Sequence, residues 1–224
     1  LDTGAPTVTI ASSSVGSTLN AGQTATITFT FSESVTGFAL DDTSVGGGAL
    51  SVLSGSGASY TATFTPTPSS TADGTISVTG AGFLDSAGNA GTDAALVTAI
   101  SIDTTTPTLS SSAPSDNATT VAVDSNIVLT FSESVVAGSG SVTLYDASDA
   151  VIQTFDITAL PSGSTLSGST LTLDPSAKLS SRTSYYVFIA ANAIDDSSGN
   201  SFAGIADKTT LNFTTGDETA PAVT

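Results

Sequence analysis

Thr24-Ala-Thr-Ile-Thr-Phe-Thr-Phe31 alternates apolar and polar positions without a break, setting Ile27, Phe29 and Phe31 on one side of an extended chain and threonines on the other. A period of two is the signature of a half-buried β-strand. Similar runs at 7–11, 38–41, 49–53, 59–65, 74–79 and 96–102 are separated by Gly, Ser, Pro and Asp, the residues that turn a chain, so seven short strands are predicted. A second set is predicted at 108–111, 126–132, 141–146, 151–157, 170–173, 184–190 and 209–214. No stretch has helical periodicity, and one short helical turn is expected at 175–179. Pro6 and Pro107 open edge strands, where a missing amide donor costs little.

The two sets are punctuated by the same signals in the same order. Asp2-Thr-Gly-Ala-Pro6 returns as Asp103-Thr-Thr-Thr-Pro107 and again as Asp217-Glu-Thr-Ala-Pro221; Phe31-Ser-Glu-Ser-Val35 returns as Phe131-Ser-Glu-Ser-Val135; Asp85-Ser-Ala-Gly-Asn89 returns as Asp196-Ser-Ser-Gly-Asn200. Self-similarity at the spacing of a small domain means a tandem array. The pattern predicts an all-β protein of two β-sandwiches arranged end to end, over 1–103 and 104–216, with 217–224 starting a third unit. A piece of a longer repetitive chain is expected. No apolar run approaches the ~18 residues of a membrane span, so no membrane insertion is expected.

Composition narrows the chemistry. With 39% hydrophobic residues the chain can build cores, and its polar residues are mostly Thr, Ser and Gly, as strands and turns require. Twenty acidic residues face three bases, Lys178, Arg182 and Lys208, all in the second unit, for a net charge of −17. Phosphate binding depends on Lys and Arg, so nucleic acid is not expected as a partner. The counter-ions are metal cations or those of a salty medium. Cys, Met, Trp and His are all absent, which removes most zinc sites and the His-dependent nucleophilic triads and leaves oxygen ligands, which suit calcium.

Strand parity shows where those oxygens meet. In a sandwich the chain entry, the loop after the second strand and the loop between the last two strands share a pole. That brings together Asp2, Glu33 and Asp85 in the first unit, and Asp103, Glu133 and Asp195 or Asp196 in the second. Glu33 and Glu133 continue the inward phase of Phe31 and Phe131, and a carboxylate aimed at an apolar mouth needs a cation or several amide donors. Calcium, with six to eight oxygens at roughly 2.3–2.6 Å, meets that need. Turn chemistry meets it too, with Asp bonding its own backbone and Gly or Asn at positive φ. Asp41-Asp42 either completes a joint or is solvated; Gly46-Gly-Gly48 is no phosphate loop, because no Lys and no helix follow.

The Ala-Pro-Thr-Val-Thr-Ile10 opening, the Phe-Ser-Glu-Ser-Val35 strand end and the Asp-Ser-Ala-Gly-Asn89 loop resemble the bacterial Ig-like repeats of large secreted repetitive (RTX-type) adhesins. Pro114-Ser-Asp-Asn-Ala118, the run from Val123 to Glu133, Leu171-Thr-Leu-Asp-Pro175, Tyr185-Tyr-Val187 and Leu211-Asn-Phe-Thr-Thr215 resemble the Ig-like domain of S-layer and other bacterial surface proteins. The resemblance implies a secreted or cell-surface location and a non-catalytic spacer that holds a distant binding domain away from the cell. The partners expected with it are neighbouring Ig-like domains of the same chain and calcium, in a monomer. The rival readings are an accessory or carbohydrate-binding module of a secreted hydrolase and an S-layer structural module. A sugar platform needs clustered aromatics, and Tyr60, Tyr145, Tyr185 and Tyr186 form no evident cluster in the sequence, so no glycan affinity is expected.

Overall fold

The computed structural model describes residues 2–218, and the start of the third repeat beyond Glu218 lies outside the described residues. The chain divides into two compact units, Leu1–Thr105 and Thr106–Thr224, both all-β.

The first unit contains β1 (Val8–Ser12), β2 (Ala25–Val35), β3 (Thr43–Gly46), β4 (Gly48–Leu50), β5 (Ser54–Pro66), β6 (Thr75–Val78) and β7 (Ala94–Ala95). They form two antiparallel sheets, ordered β1-β2-β5-β4 and β3-β6-β7. The alternation of β2 sets the register: Ile10 lies opposite Phe29 and Val8 opposite Phe31 on one side, and Ile27 opposite Ala62 on the other. These residues pack against Ile76 and Val78 of the facing sheet and against Phe83, Ile100 and Ile102, all buried.

Two expected strands differ. The segment 38–41 is not extended; Leu40–Asp42 makes a 3₁₀ turn in which the Asp42 carboxylate accepts from the Ala39 amide at 2.8 Å and the Thr43 hydroxyl donates to the Leu40 carbonyl at 2.7 Å. Such local bonds compete with a strand ladder, and pairing begins only at Thr43. The run 96–102 contributes isolated bridges, Ile100 to Gly74 and Ile102 in parallel to Leu19, in place of a continuous strand.

Among its described residues the second unit holds eleven short strands where seven were expected: β8 (Leu109–Ala113), β9 (Ala118–Val121), β10 (Ile127–Phe131), β11 (Val135–Ala137), β12 (Ser141–Asp146), β13 (Val151–Asp156), β14 (Thr165–Ser167), β15 (Thr170–Leu173), β16 (Ser184–Ile189), β17 (Ile194–Asp196) and β18 (Asn212–Thr215). A sheet ordered β14-β15-β10-β8 faces one ordered β13-β12-β16-β18-β9, with β11 and β17 paired as a ribbon. The extra strands are three or four residues long, too short to show a period. Residues 175–179 are irregular, not helical: Gln153 accepts from the Ser176 amide and hydroxyl, and the Leu179 amide bonds to the Val123 carbonyl. The final strand starts at Asn212 because the Asp207 carboxylate captures the amides of Thr209 and Thr210. Leu129, Leu144, Phe155, Leu171 and Val187 are fully buried at the centre of this core.

Among the described residues no helix is long and apolar enough to cross a membrane. Phe29 and Phe155 are each completely buried in the core of their own unit. Phe29→Ala and Phe155→Ala should each cost their unit about 3–5 kcal/mol, measured by chemical denaturation. A loss under ~1 kcal/mol would mean that the ring does not belong to a packed core.

Candidate metal centre

In the first unit the inward phase of β2 runs past Phe31 to half-buried Glu33 and buried Val35. Thr36 and Leu84 then exchange backbone hydrogen bonds at 2.9 and 3.0 Å, which brings Asp85 to the end of β2. The entering segment is held to the same end. The Thr7 amide donates to the Ser32 hydroxyl at 3.0 Å, the Ser32 amide to the Thr7 carbonyl at 2.9 Å, and the Thr92 amide to the Pro6 carbonyl at 3.1 Å. Asp2, Glu33 and Asp85 consequently converge, each offering a carboxylate oxygen within 4.8 Å of the others. Beneath them lies an apolar floor: Phe31, two residues before Glu33, and Phe83, two before Asp85, meet edge to face with centroids 4.9 Å apart.

Asp85 is 4% exposed and built into its own turn. Its Oδ1 accepts from the amides of Ala87 and Asn89, both at 2.8 Å, and its Oδ2 from the Asn89 side-chain amide at 2.7 Å. Gly88 closes the loop at φ +91°, a conformation that other residues rarely adopt. These donors, the Asn89 side chain foremost, hold the Asp85 carboxyl below its ordinary value of 3.8, against an opposing push from burial. With one side-chain donor on Oδ2, that oxygen keeps acceptor capacity.

The second unit repeats the arrangement. Glu133 is half-buried two residues after Phe131, and the ribbon pairs Val135 with Asp196 and Val136 with Asp195. Asp196, 2% exposed, accepts from the amides of Ser198 and Asn200 at 2.8 Å and from the Asn200 side chain at 2.7 Å, and Gly199 turns at φ +84°. Glu133 and Asp196 offer oxygens within 4.8 Å of one another. Asp195 is not brought to them; it alternates to the other side and accepts from the Ser201 hydroxyl at 2.6 Å. In the repeat its position corresponds to Leu84, so Asp196 is the counterpart of Asp85. Asp103 closes the first unit. Its amide bonds to the Leu19 carbonyl and its Oδ1 accepts from the Thr105 amide at 3.2 Å, as Asp2 accepts from Gly4 at 2.9 Å.

Lys178 lies 3.7 Å from Asp124 and 3.8 Å from Glu218, Arg182 pairs with Asp217, and Lys208 pairs with Asp149. Two oxygens on one ion at roughly 2.4 Å can stand up to roughly 4.8 Å apart, so the carboxylate spacing and the all-oxygen donor set both fit calcium. Asp42 is engaged in its own 3₁₀ turn.

The aromatic residues require a correction. Tyr145, Tyr186 and Phe188 do form a cluster: Tyr145 and Tyr186 stack at 5.0 Å with planes 6° apart, and Phe188 leans on both at 5.3 and 5.0 Å. The sequence hides this because Tyr145 lies on β12 and the other two on β16, which pair Tyr145 with Tyr186.

Two tandem β-sandwiches, each with acids from two strand ends gathered at one end and, in the first, an acid from its entry segment, define a modular Ig-like protein. Residues 2–102 match one family model described as a bacterial Ig-like domain, and residues 103–215 match another with the same description. The chain belongs to the bacterial Ig-like domains. Among solved structures it aligns with the Yersinia pseudotuberculosis adhesin InvE at 15% identity and a TM-score of 0.32, over 93% of this chain. It spans 58% of that protein's chain. No curated protein matches it.

Asp85 has its carboxyl held low in the folded state, so its contribution to stability is present above the unfolded value and is lost as pH falls through the folded one. Asn89→Ala should move the Asp85 titration up toward 3.8, read by carboxyl NMR. An unmoved titration would show that the side-chain amide is not its cause.

Proposed function

We propose that the chain is a non-catalytic spacer from a bacterial cell-surface adhesin of the secreted, repetitive type, whose sandwich ends are tied by calcium to the segments that enter them. One observation carries the reading: Asp2, Glu33 and Asp85 meet at one end of the first sandwich, and Glu133 and Asp196 repeat that arrangement in a domain that matches a different family model. Turn formation needs only Asp85 or Asp196; it gives no reason for Glu33 and Glu133 to stand in the apolar phase beside them.

Asp2, Glu33 and Asp85 would hold the ion in the first unit, and Asp103, Glu133 and Asp196 would hold it at the start of the second, with Asp103 standing where Asp2 stands in the repeat. Calcium would neutralise these crowded carboxylates and would cross-link loop to loop. Its scarcity inside cells would let the chain stiffen only after export. The partners are then calcium and the neighbouring Ig-like domains of the same chain; the protein works as a monomer outside the cell, without nucleic acid and without entering a membrane. Family membership supports a non-catalytic module, since fold-level modules of this kind serve as scaffolds for sites carried elsewhere.

Calorimetry should detect calcium uptake. Small-angle scattering should give a narrower distribution of dimensions with calcium than with chelator. Asp103→Ala and Glu133→Ala should each reproduce the chelated profile in calcium, while Asp174→Ala, which is outside both sets, should not. Both units should stay folded throughout, read by circular dichroism. If no calcium is taken up, or if both variants scatter as the parent does in calcium, the carboxylates are turn residues alone.

A further inference from the structure

The outer face of the five-stranded sheet in the second unit carries aromatic side chains that the sandwich does not use. On β12, Val142 and Leu144 point into the core, and on β16 Tyr185, Val187 and Ile189 do so. Tyr145, Tyr186 and Phe188 take the opposite phase and project outward. Tyr186 is the anchor of the group. The Lys208 ammonium lies 5.4 Å from its ring centroid, and its hydroxyl donates to Asp149 at 2.8 Å. Stacked on that fixed ring, Tyr145 is held in place, and it and Phe188 stay half-buried beside a groove of about 290 Å³.

The lining of the groove selects the chemistry of its occupant. It contains the two rings, small alanines, and the hydroxyl-bearing Ser141 and Thr143, and no charged side chain. An anion would be repelled by a chain of net charge −17, and a cation would find no carboxylate in the groove. A neutral ligand remains, one with an apolar face for the rings and hydroxyls for Ser141 and Thr143. The π face of an aromatic ring is negative and attracts polarised C–H groups, which a pyranose presents in a row on one face. The Thr143 hydroxyl is 3.5 Å from that of Thr154, the long limit of a hydrogen bond, and can turn to a ligand. The volume is near the lower end of small-molecule sites, ~300–1,000 Å³, and suits one or two sugar rings.

We propose that the groove beside Tyr145 and Phe188 binds a neutral pyranose unit of a glycan chain. The site lies within the second unit and is independent of the calcium reading. Binding by this module gives the spacer a contact of its own with a polysaccharide surface.

The test uses the full 224-residue chain, on an array of neutral and anionic glycans and then in NMR titration with neutral oligosaccharides up to millimolar concentration. Saturable binding to a neutral glycan is expected, with shifts centred on Tyr145 and Phe188. Tyr145→Leu and Phe188→Leu keep apolar bulk and remove the ring faces; each should weaken binding roughly three- to tenfold. Thr143→Val keeps the shape, removes the hydroxyl and should weaken binding too, which serves if either ring variant melts early. No neutral glycan binding at millimolar concentration, binding to anionic glycans alone, or affinity unchanged from the parent in all three variants would overturn the proposal.

Discussion

Alternation along a β-strand leaves no choice about which side the next-but-one residue faces. In β2 that constraint carries Ile27, Phe29 and Phe31 into the core and then, without a change of phase, places Glu33 at its mouth. The same parity takes Phe83 to Asp85 on the chain that bridges to β2, and Ile194 to Asp196 in the second unit. Each carboxylate is therefore positioned by the apolar residue two places before it. Moving the acid would mean inserting a bulge or withdrawing an aromatic ring from the core.

Because burial of an acid is imposed by the core, the surrounding loop must supply donors. Asp85-Ser-Ala-Gly-Asn89 and Asp196-Ser-Ser-Gly-Asn200 each provide two backbone amides and a side-chain amide to the leading Asp, with glycine making the turn possible. In the first set Asp85 is buried, Glu33 half-buried and Asp2 exposed, so that set grades from buried to exposed across the mouth.

Much of this was legible in the sequence, for a physical reason. Period-two alternation and recurring turn signals are local, and where they are strong the strands follow closely: 141–146 and 170–173 coincide with β12 and β15. Legibility failed where a side chain diverted the backbone, as Asp42 and Asp207 do, or where a strand of three residues exists only because a partner lies beside it, as β11 and β17 do. The choice between Asp195 and Asp196 was settled by strand phase, although the motif Asp196-Ser-Ser-Gly-Asn200 already pointed to Asp196 through its match to Asp85. The aromatic cluster could not be read at all, since Tyr145 and Tyr186 meet through the pairing of strands that are distant in sequence.

The parallel pairing of β9 with β18 has a mechanical side. Phe213 lies opposite Ala118 and Thr215 opposite Val121, so an early strand of the second unit and its last strand run the same way. In the first unit Leu19 and Ile102 are bridged in the same sense, with the Leu19 amide bonded to Ser101 and the Asp103 amide to Leu19. A pull on the two ends of such a unit slides the strands along each other and stretches all of the joining hydrogen bonds at once; it does not peel them apart singly. A module wired in this way resists tension along its two terminal segments as a clasp does.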